Sequence, residues 1–278
     1  MTTPVLAIES ATHGRLYRDP ALAPEGFPVT ARDEIEGLRS GALVPSVTNV
    51  LGVACPPALA AWRERSIALA AVGVADELVG RAGPDGIAAA CKRVVDAAGT
   101  HAMKAAARGD RLHRTFELLA RGEPVDVADA DRGAVGAWLA FCAAYGVEFL
   151  EVETTLLNRQ LRYAGTADAI CRIGGRTVVV DWKSGTAVRP HAALQVTALA
   201  HAPVIVRPDG SESPAPVVDA GLVVHFDDST YAVRLVRPTD RLLAYVAACR
   251  TAWDVAHEQV ELLGPWLARP EQLAELAG

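Results

Sequence analysis

The residues best placed to do chemistry lie in the stretch Val178-Val-Val-Asp181-Trp-Lys183-Ser-Gly185. An apolar run of this length reads as a strand, and side chains two apart on a strand share a face. Asp181 and Lys183 therefore project together, while Val178, Val180 and Trp182 take the opposite face, toward a core. Upstream, Gly174-Gly175 supplies the positive φ that a tight hairpin turn needs. A turn centred there pairs residues whose numbers sum to 349, as 174 and 175 do, and sets Asp168 opposite Asp181. Two facing carboxylates repel by about 0.2–1 kcal/mol. A divalent cation between them reverses that sign, and hard carboxylate oxygens suit Mg²⁺, with Mn²⁺ as a substitute. Lys183, beside two acids, keeps its proton and serves better to stabilise charge than to act as a base. An isolated Asp-x-Lys is as easily a solvated strand, so the facing Asp168 is what gives this one weight.

Further candidates flank this pair. In Gly109-Asp-Arg-Leu-His113-Arg-Thr-Phe-Glu117, His113 and Glu117 are four apart and share one helix face. Gln195 falls on a helix after the strand, twelve residues beyond Lys183. The elements that must position them follow from pattern. Residues 1–45 read as irregular, with short strand pieces and turns around Pro20, Pro24 and Pro28. A helix opens at Pro45-Ser-Val-Thr-Asn with Ser46 as N-cap. Helices are predicted over 58–79, 86–98, 100–121 and 129–145, the last capped by Asp126 or Asp129. Strands follow over 152–158, 161–173 and 176–183, then a helix over about 190–202. A second hairpin, 217–226 with 230–236, turns at Asp227-Asp228-Ser229, and Thr239 or Asp240 caps a final helix to about Leu263. This order predicts an α/β (α+β) core behind a helical N-terminal part. Residues 1–100 form that part and 101–278 the core.

Composition sets the bounds. The chain has 278 residues, 51% hydrophobic and 22% charged, which suits a globular protein and excludes disorder over most of its length. Aromatics are only 5%, so Ala, Val and Leu must build the core. A net charge of −6 excludes a uniformly basic coat but leaves room for a local basic cleft. The five cysteines are widely spaced with no Cys-x-x-Cys, which reads as free thiols in a reducing compartment. The N-terminus lacks the basic and apolar regions of a secretory signal. Residues 40–62 are uncharged, but Pro45, Pro56, Pro57 and polar Ser46, Thr48 and Asn49 argue against a membrane span. The expectation is a cytoplasmic protein of a bacterial cell, with no membrane partner.

The ordered set Gly109, His113, Glu117; Gly165-Thr166-x-Asp168; Asp181-x-Lys183; Gln195 resembles the PD-(D/E)XK nuclease superfamily. It is most similar to the RecB-like and phage exonuclease branch. Pro45-Ser-Val-Thr48 followed by Ala58-Leu-Ala-Ala-Trp62 is similar to the opening segment of phage members. The resemblance implies a restriction-endonuclease-like core with a central mixed sheet flanked by helices. It also implies a Mg²⁺-dependent DNA exonuclease of phage or mobile-element recombination and repair. By the same resemblance His113, Asp168, Asp181 and the carbonyl of Trp182 are metal ligands, Lys183 orients the attacking water or stabilises charge on the phosphorane, and Gln195 positions Lys183 or the DNA backbone. The chain departs from the pattern at Leu199, where the family helix carries tyrosine. It also lacks a C-terminal cysteine trio, so no iron–sulfur cluster is expected.

Glu117 has two readings, a ligand of a second metal or of the first through water, or an ion-pair partner of Arg114 or Arg121, and the ion pair is favoured. Glu153, on the strand before Asp168, is a minor candidate for the site. Arg108, Arg111, Arg114 and Arg189 are candidates for a phosphate-tracking groove, against a solvated helix face. No Gly-x-x-x-x-Gly-Lys-Ser/Thr motif is present, so an ATP motor or a single-strand annealing partner would act in trans. Two alternatives stand beside the exonuclease: an endonuclease of the same fold and a non-catalytic DNA-binding relative. Intact Asp168, Asp181 and Lys183 count against the last.

Overall fold

The computed structural model describes residues 6–23, 27, 30–54, 65, 67–75, 84–184 and 188–257. Three short strands, β1 (Ala7–Ser10), β2 (Gly14–Arg18) and β3 (Leu43–Pro45), form an antiparallel N-terminal sheet. The main sheet holds β4 (Glu148–Asn158), β5 (Tyr163–Ile173), β6 (Arg176–Lys183), β7 (Val204–Val206), β8 (Glu212–Pro214), β9 (Ala220–Phe226) and β10 (Tyr231–Val236). Its spatial order is β10-β9-β6-β5-β4-β7-β8. Every neighbouring pair is antiparallel except β6 and β9. A parallel pair needs a crossover, and helix α5 (His191–Ala200) lies within that connection.

Both faces of this sheet are covered. Helices α2 (Val47–Gly52), α5 and α6 (Asp240–Ala256) pack on one face, around Val50, Val179, Val196, Leu199 and Val246. Helices α3 (Pro84–Ala120) and α4 (Arg132–Tyr145) cover the other, around Phe116, Trp138, Phe141, Val180 and Trp182. A large mixed sheet flanked by helices is the architecture expected of a restriction-endonuclease-like core. The aromatic side chains concentrate in the second layer, where Trp182 meets Phe116 and Trp138 edge to face.

Several boundaries differ from the expectation. The short strand pieces expected within residues 1–45 are β1, β2 and β3, but helix α1 (Ala31–Ser40), not expected there, stands between β2 and β3. Thr30 and Asp33 close a capping box at its start, and Gly41 ends it in a left-handed conformation. The helices expected over 86–98 and 100–121 are one 37-residue helix, because the Ala-rich flanks carry it through Gly99. Helix α4 starts at Arg132 after a 3₁₀ turn over Asp129–Asp131, and neither Asp126 nor Asp129 caps it. Strands β7 and β8, at three residues each, are too short to show a periodicity in the sequence. Ser46 and Thr239 do cap their helices, accepting from the amides of Asn49 and Leu242. Most of the helix expected over 58–79 lies outside the described residues, though 67–73 are helical. The final helix beyond His257 also lies outside them.

The N-terminal sheet is fastened to the main one by polar contacts. Tyr17 Oη lies 3.0 Å from Thr166 Oγ1. Arg159, after β4, forks onto buried Asp19 at 2.6 Å and onto Glu212. Among the described residues, no helix is long and apolar enough to cross a membrane.

Candidate metal centre

The Gly174-Gly175 turn produces the register read from it. Pairs run from Ile173 with Arg176 to Ala169 with Val180, each summing to 349. The ladder stops one pair short of Asp168 and Asp181. There Asp168 Oδ2 accepts a hydrogen bond from the backbone N–H of Trp182 at 2.5 Å. Its Oδ1 lies 3.3 Å from His113 Nδ1. Trp182 thus reaches the site through its amide, while its indole stays in the core.

The reason for this turn of Asp168 lies in the strands themselves. Residues two apart on a strand should share a face, yet Ala167 packs in one core layer and Ala169 in the other. The same switch occurs on β4, where Val152 belongs to the second layer and Leu156 to the first. Pairs Val152–Ala169 and Thr154–Ala167 keep one register, which places Glu153 across from Asp168, and the register shift between these strands lies further along, between Phe149 and Glu151. Glu153 has φ +48°, a left-handed conformation costly for any residue but glycine. At this level Glu153 and Asp168 line one cleft with His113 of helix α3.

His113, Glu153 and Asp168 place one ligand atom each within 4.8 Å of one another. Beside them Lys183 Nζ lies 2.8 Å from Asp181 Oδ1 and 3.5 Å from Gln195 Oε1. Asp181 is 2% exposed, and its Oδ2 is buried without a hydrogen-bond partner. Burial pushes the Asp181 carboxyl up to about 6, opposed by the Lys183 ammonium and aided by the Asp168 charge. Glu153 is pushed up to about 7, first by burial and then by Asp168. Burial is the largest single influence on His113 and works to lower its pKa, but the bond to Asp168 together with the charges of Asp168 and Glu153 leaves it raised. These residues fit a divalent cation: an orphaned buried carboxylate oxygen, two acids whose pKa values are raised by burial and by the Asp168 charge, and one imidazole. Removing a proton from such a cluster and adding a cation relieves both burdens at once.

The other candidates fall into two groups. Glu117 is 8% exposed and is gripped by Arg114 at 2.5 Å and Arg121 at 3.0 Å. It lines the same cleft but already has two cationic partners. Arg111 forks onto Asp131, and Arg108 pairs with Asp131 and with Asp228 in the β9–β10 turn. These two arginines tie α3 to the start of α4 and to that hairpin. Arg189 lies in a different depression with Val188, Arg234 and Leu235. Leu199 lines the main cleft near Gln195. Glu153 is the residue that sequence pattern underrated. Its place depends on the β4–β5 register, and the Arg159-Gln-Leu-Arg162 connection carries no glycine turn from which to count.

No known family model matches the chain, and no curated protein does. Solved structures do show likeness. An alkaline exonuclease, LHK-Exo from Laribacter hongkongensis, is 13% identical with a TM-score of 0.34, over 55% of this chain and 76% of that one. The SSO0001 protein is 16% identical with a TM-score of 0.29 over 44% of this chain, which spans 57% of that protein's length.

Proposed function

We propose that this chain is a divalent-metal-dependent DNA nuclease, working as an exonuclease. One observation carries the reading: Glu153, Asp168 and His113 converge beside the Lys183–Asp181 pair, in a cleft of about 630 Å³. His113, Glu153, Asp168 and the free oxygen of Asp181 would hold the cation. When bound, the ion would neutralise charge on a phosphodiester and make a nucleophile available near neutral pH. The chain's own residues divide the remaining work. Asp181 and Gln195 hold the Lys183 ammonium, which donates to a phosphoryl oxygen as negative charge develops there. The Trp182 amide fixes one oxygen of Asp168 and so orients the other toward His113. The resemblance in motif order adds the setting, recombination or repair on a phage or mobile element.

The test is incubation with linear and closed-circular DNA, with Mg²⁺, Mn²⁺ or EDTA. Mononucleotide release from linear DNA alone, abolished by EDTA and by Asp168→Ala, is the expected result. Nicking of the closed circle would replace the exonuclease with an endonuclease. No hydrolysis under any divalent ion would overturn the reading.

A further inference from the structure

The acidic cleft does not end at the metal-binding residues. Its far wall is the β1–β2 hairpin and the first turn of α2, with Gly14, Thr48 and Asn49 on the boundary. The same three residues line a second pocket of about 330 Å³ on the other side of the hairpin tip. The two spaces therefore adjoin across one ridge. Asn49 Nδ2 fixes that ridge by donating to the carbonyls of His13 at 2.9 Å and Arg15 at 2.8 Å. Gly14, at φ +66°, lets the hairpin sit directly on Asn49; a Cβ there would come within 2.6 Å of Nδ2.

The second pocket is aromatic. His257 lies stacked on Trp253, with centroids 4.1 Å apart and planes 19° from parallel. His13 closes the group at 5.7 Å from His257. The wall is rigid from behind. Trp253 is buried, Arg250 packs over its ring at 5.0 Å, and His257 Nδ1 donates to the Trp253 carbonyl at 2.9 Å. Thr12 and Thr48 add hydroxyl groups at the rim. A flat ring with polar edges is the ligand such a pocket suits.

The cations around the cleft narrow the ligand further. Arg15 pairs with Glu9, Arg114 with Glu117, and Arg108 and Arg111 with Asp131. Tracking the two backbones of a duplex needs a row of cations directed at phosphates. Here each of these arginines already faces a carboxylate. Bases inside a duplex also have both faces covered, so a ring-binding pocket needs an unstacked base.

Resting on the nuclease reading of the acidic cleft, we infer that the pocket beyond Gly14 and Asn49 binds an unstacked base of a single DNA strand. That strand's scissile phosphate lies at the acidic cluster, and the neighbouring nucleotide crosses the ridge to the His257–Trp253 wall. The substrate class is then single-stranded DNA or a single-stranded end.

Gly52 provides a plug. It lines the second pocket, and a Cβ built on it meets nothing within 4 Å. Binding of fluorescein-labelled thymidine strands, one of ten nucleotides and one of two, is measured by anisotropy with Ca²⁺. The dinucleotide reports the acidic cleft and the longer strand adds the pocket. In Gly52→Leu and in His257→Ala, the ratio of the long-strand Kd to the dinucleotide Kd should rise about tenfold, the loss of one stacked base. His257→Phe, which keeps a ring, should hold the wild-type ratio. An unchanged ratio in Gly52→Leu and His257→Ala, or no binding of the long strand by wild type, overturns the inference. Hydrolysis of bis(p-nitrophenyl) phosphate with Mn²⁺ tests the other half, because this small diester needs no second pocket. Hydrolysis with an unchanged ratio removes the base pocket alone. A changed ratio without hydrolysis keeps the pocket and removes the nuclease.

Discussion

Consider Glu153→Gln in protein stripped of divalent ions. Glu153 is held from an ordinary 4.5 up to about 7 by burial and by Asp168. A raised carboxyl pKa means that the fold prefers the protonated form. Its contribution is therefore fully present below pH 4.5 and is lost as pH rises through 7. At about 1.4 kcal/mol for each pH unit between the two values, the ionised carboxylate costs the fold at most about 3.5 kcal/mol above pH 8. Glutamine has nearly the same shape and keeps the same φ, so it removes the charge and leaves the backbone strain. It still buries an amide, which reduces the gain to about 1–3 kcal/mol. Urea unfolding in EDTA should show the variant more stable than wild type at pH 8 and equal to it near pH 4.5. With Mn²⁺ added, the order should reverse, because the variant has lost a ligand and the wild type gains binding free energy. A stability difference independent of pH, or an undiminished Mn²⁺ response in the variant, would refute the placement of Glu153 in the centre.

Four other outcomes follow from the same geometry. Since Glu153 and Asp181 titrate near 7 and 6, a cation must displace protons below those values, so the Mg²⁺-induced rise in Tm should grow between pH 6 and pH 8; a response flat across that range would contradict it. His113→Ala should lower metal-dependent cleavage on the order of 100-fold or more, whereas Glu117→Gln should cost far less because Arg114 and Arg121 already claim that carboxylate; equal losses would place Glu117 in a two-metal site. Arg111→Ala should lower Tm by loosening buried Asp131, while leaving the salt dependence of DNA binding unchanged; a slope reduced by about 0.7–0.9 would show a phosphate contact instead. Protein purified without oxygen should be colourless, since Cys171 and Cys249 sit in core layers on opposite sides of the sheet; a visible absorption band with stoichiometric iron would contradict this.

Where the chain states its own geometry, sequence was enough. Gly174-Gly175 has only one short way to join two strands, so counting outward located Asp168 near the Asp181 level without any structure. The alternation in Val178-Val-Val-Asp-Trp-Lys placed Trp182 and Asp181 on different sides, and both proved buried because helices cover both faces. Glu117 with arginines at three and four residues read as an ion-pair group, which is how it is bonded. Helix α1 does carry its own signals, Thr30 three residues before Asp33 and Gly41 past the last turn. Three prolines nearby made that segment look irregular.

The centre itself was only half legible, and the reason is a conflict between levels. A regular strand would have carried Glu153 and Asp168 in strict alternation, and the count from the turn would have been final. Instead both strands change face at the same level, with Glu153 in a conformation that its side chain disfavours. Nothing in local propensity signals this, because the switch is imposed by packing two different core layers against one sheet. The result gathers carboxylates whose mutual repulsion and burial oppose folding. A sequence under selection for stability alone would place neutral residues at 153 and 181, at little structural expense. Retaining acids there, on a strained backbone and beside a paired lysine, makes sense where a cation is to be bound, since that one ligand relieves repulsion, satisfies the orphaned Asp181 oxygen and offsets the strain together.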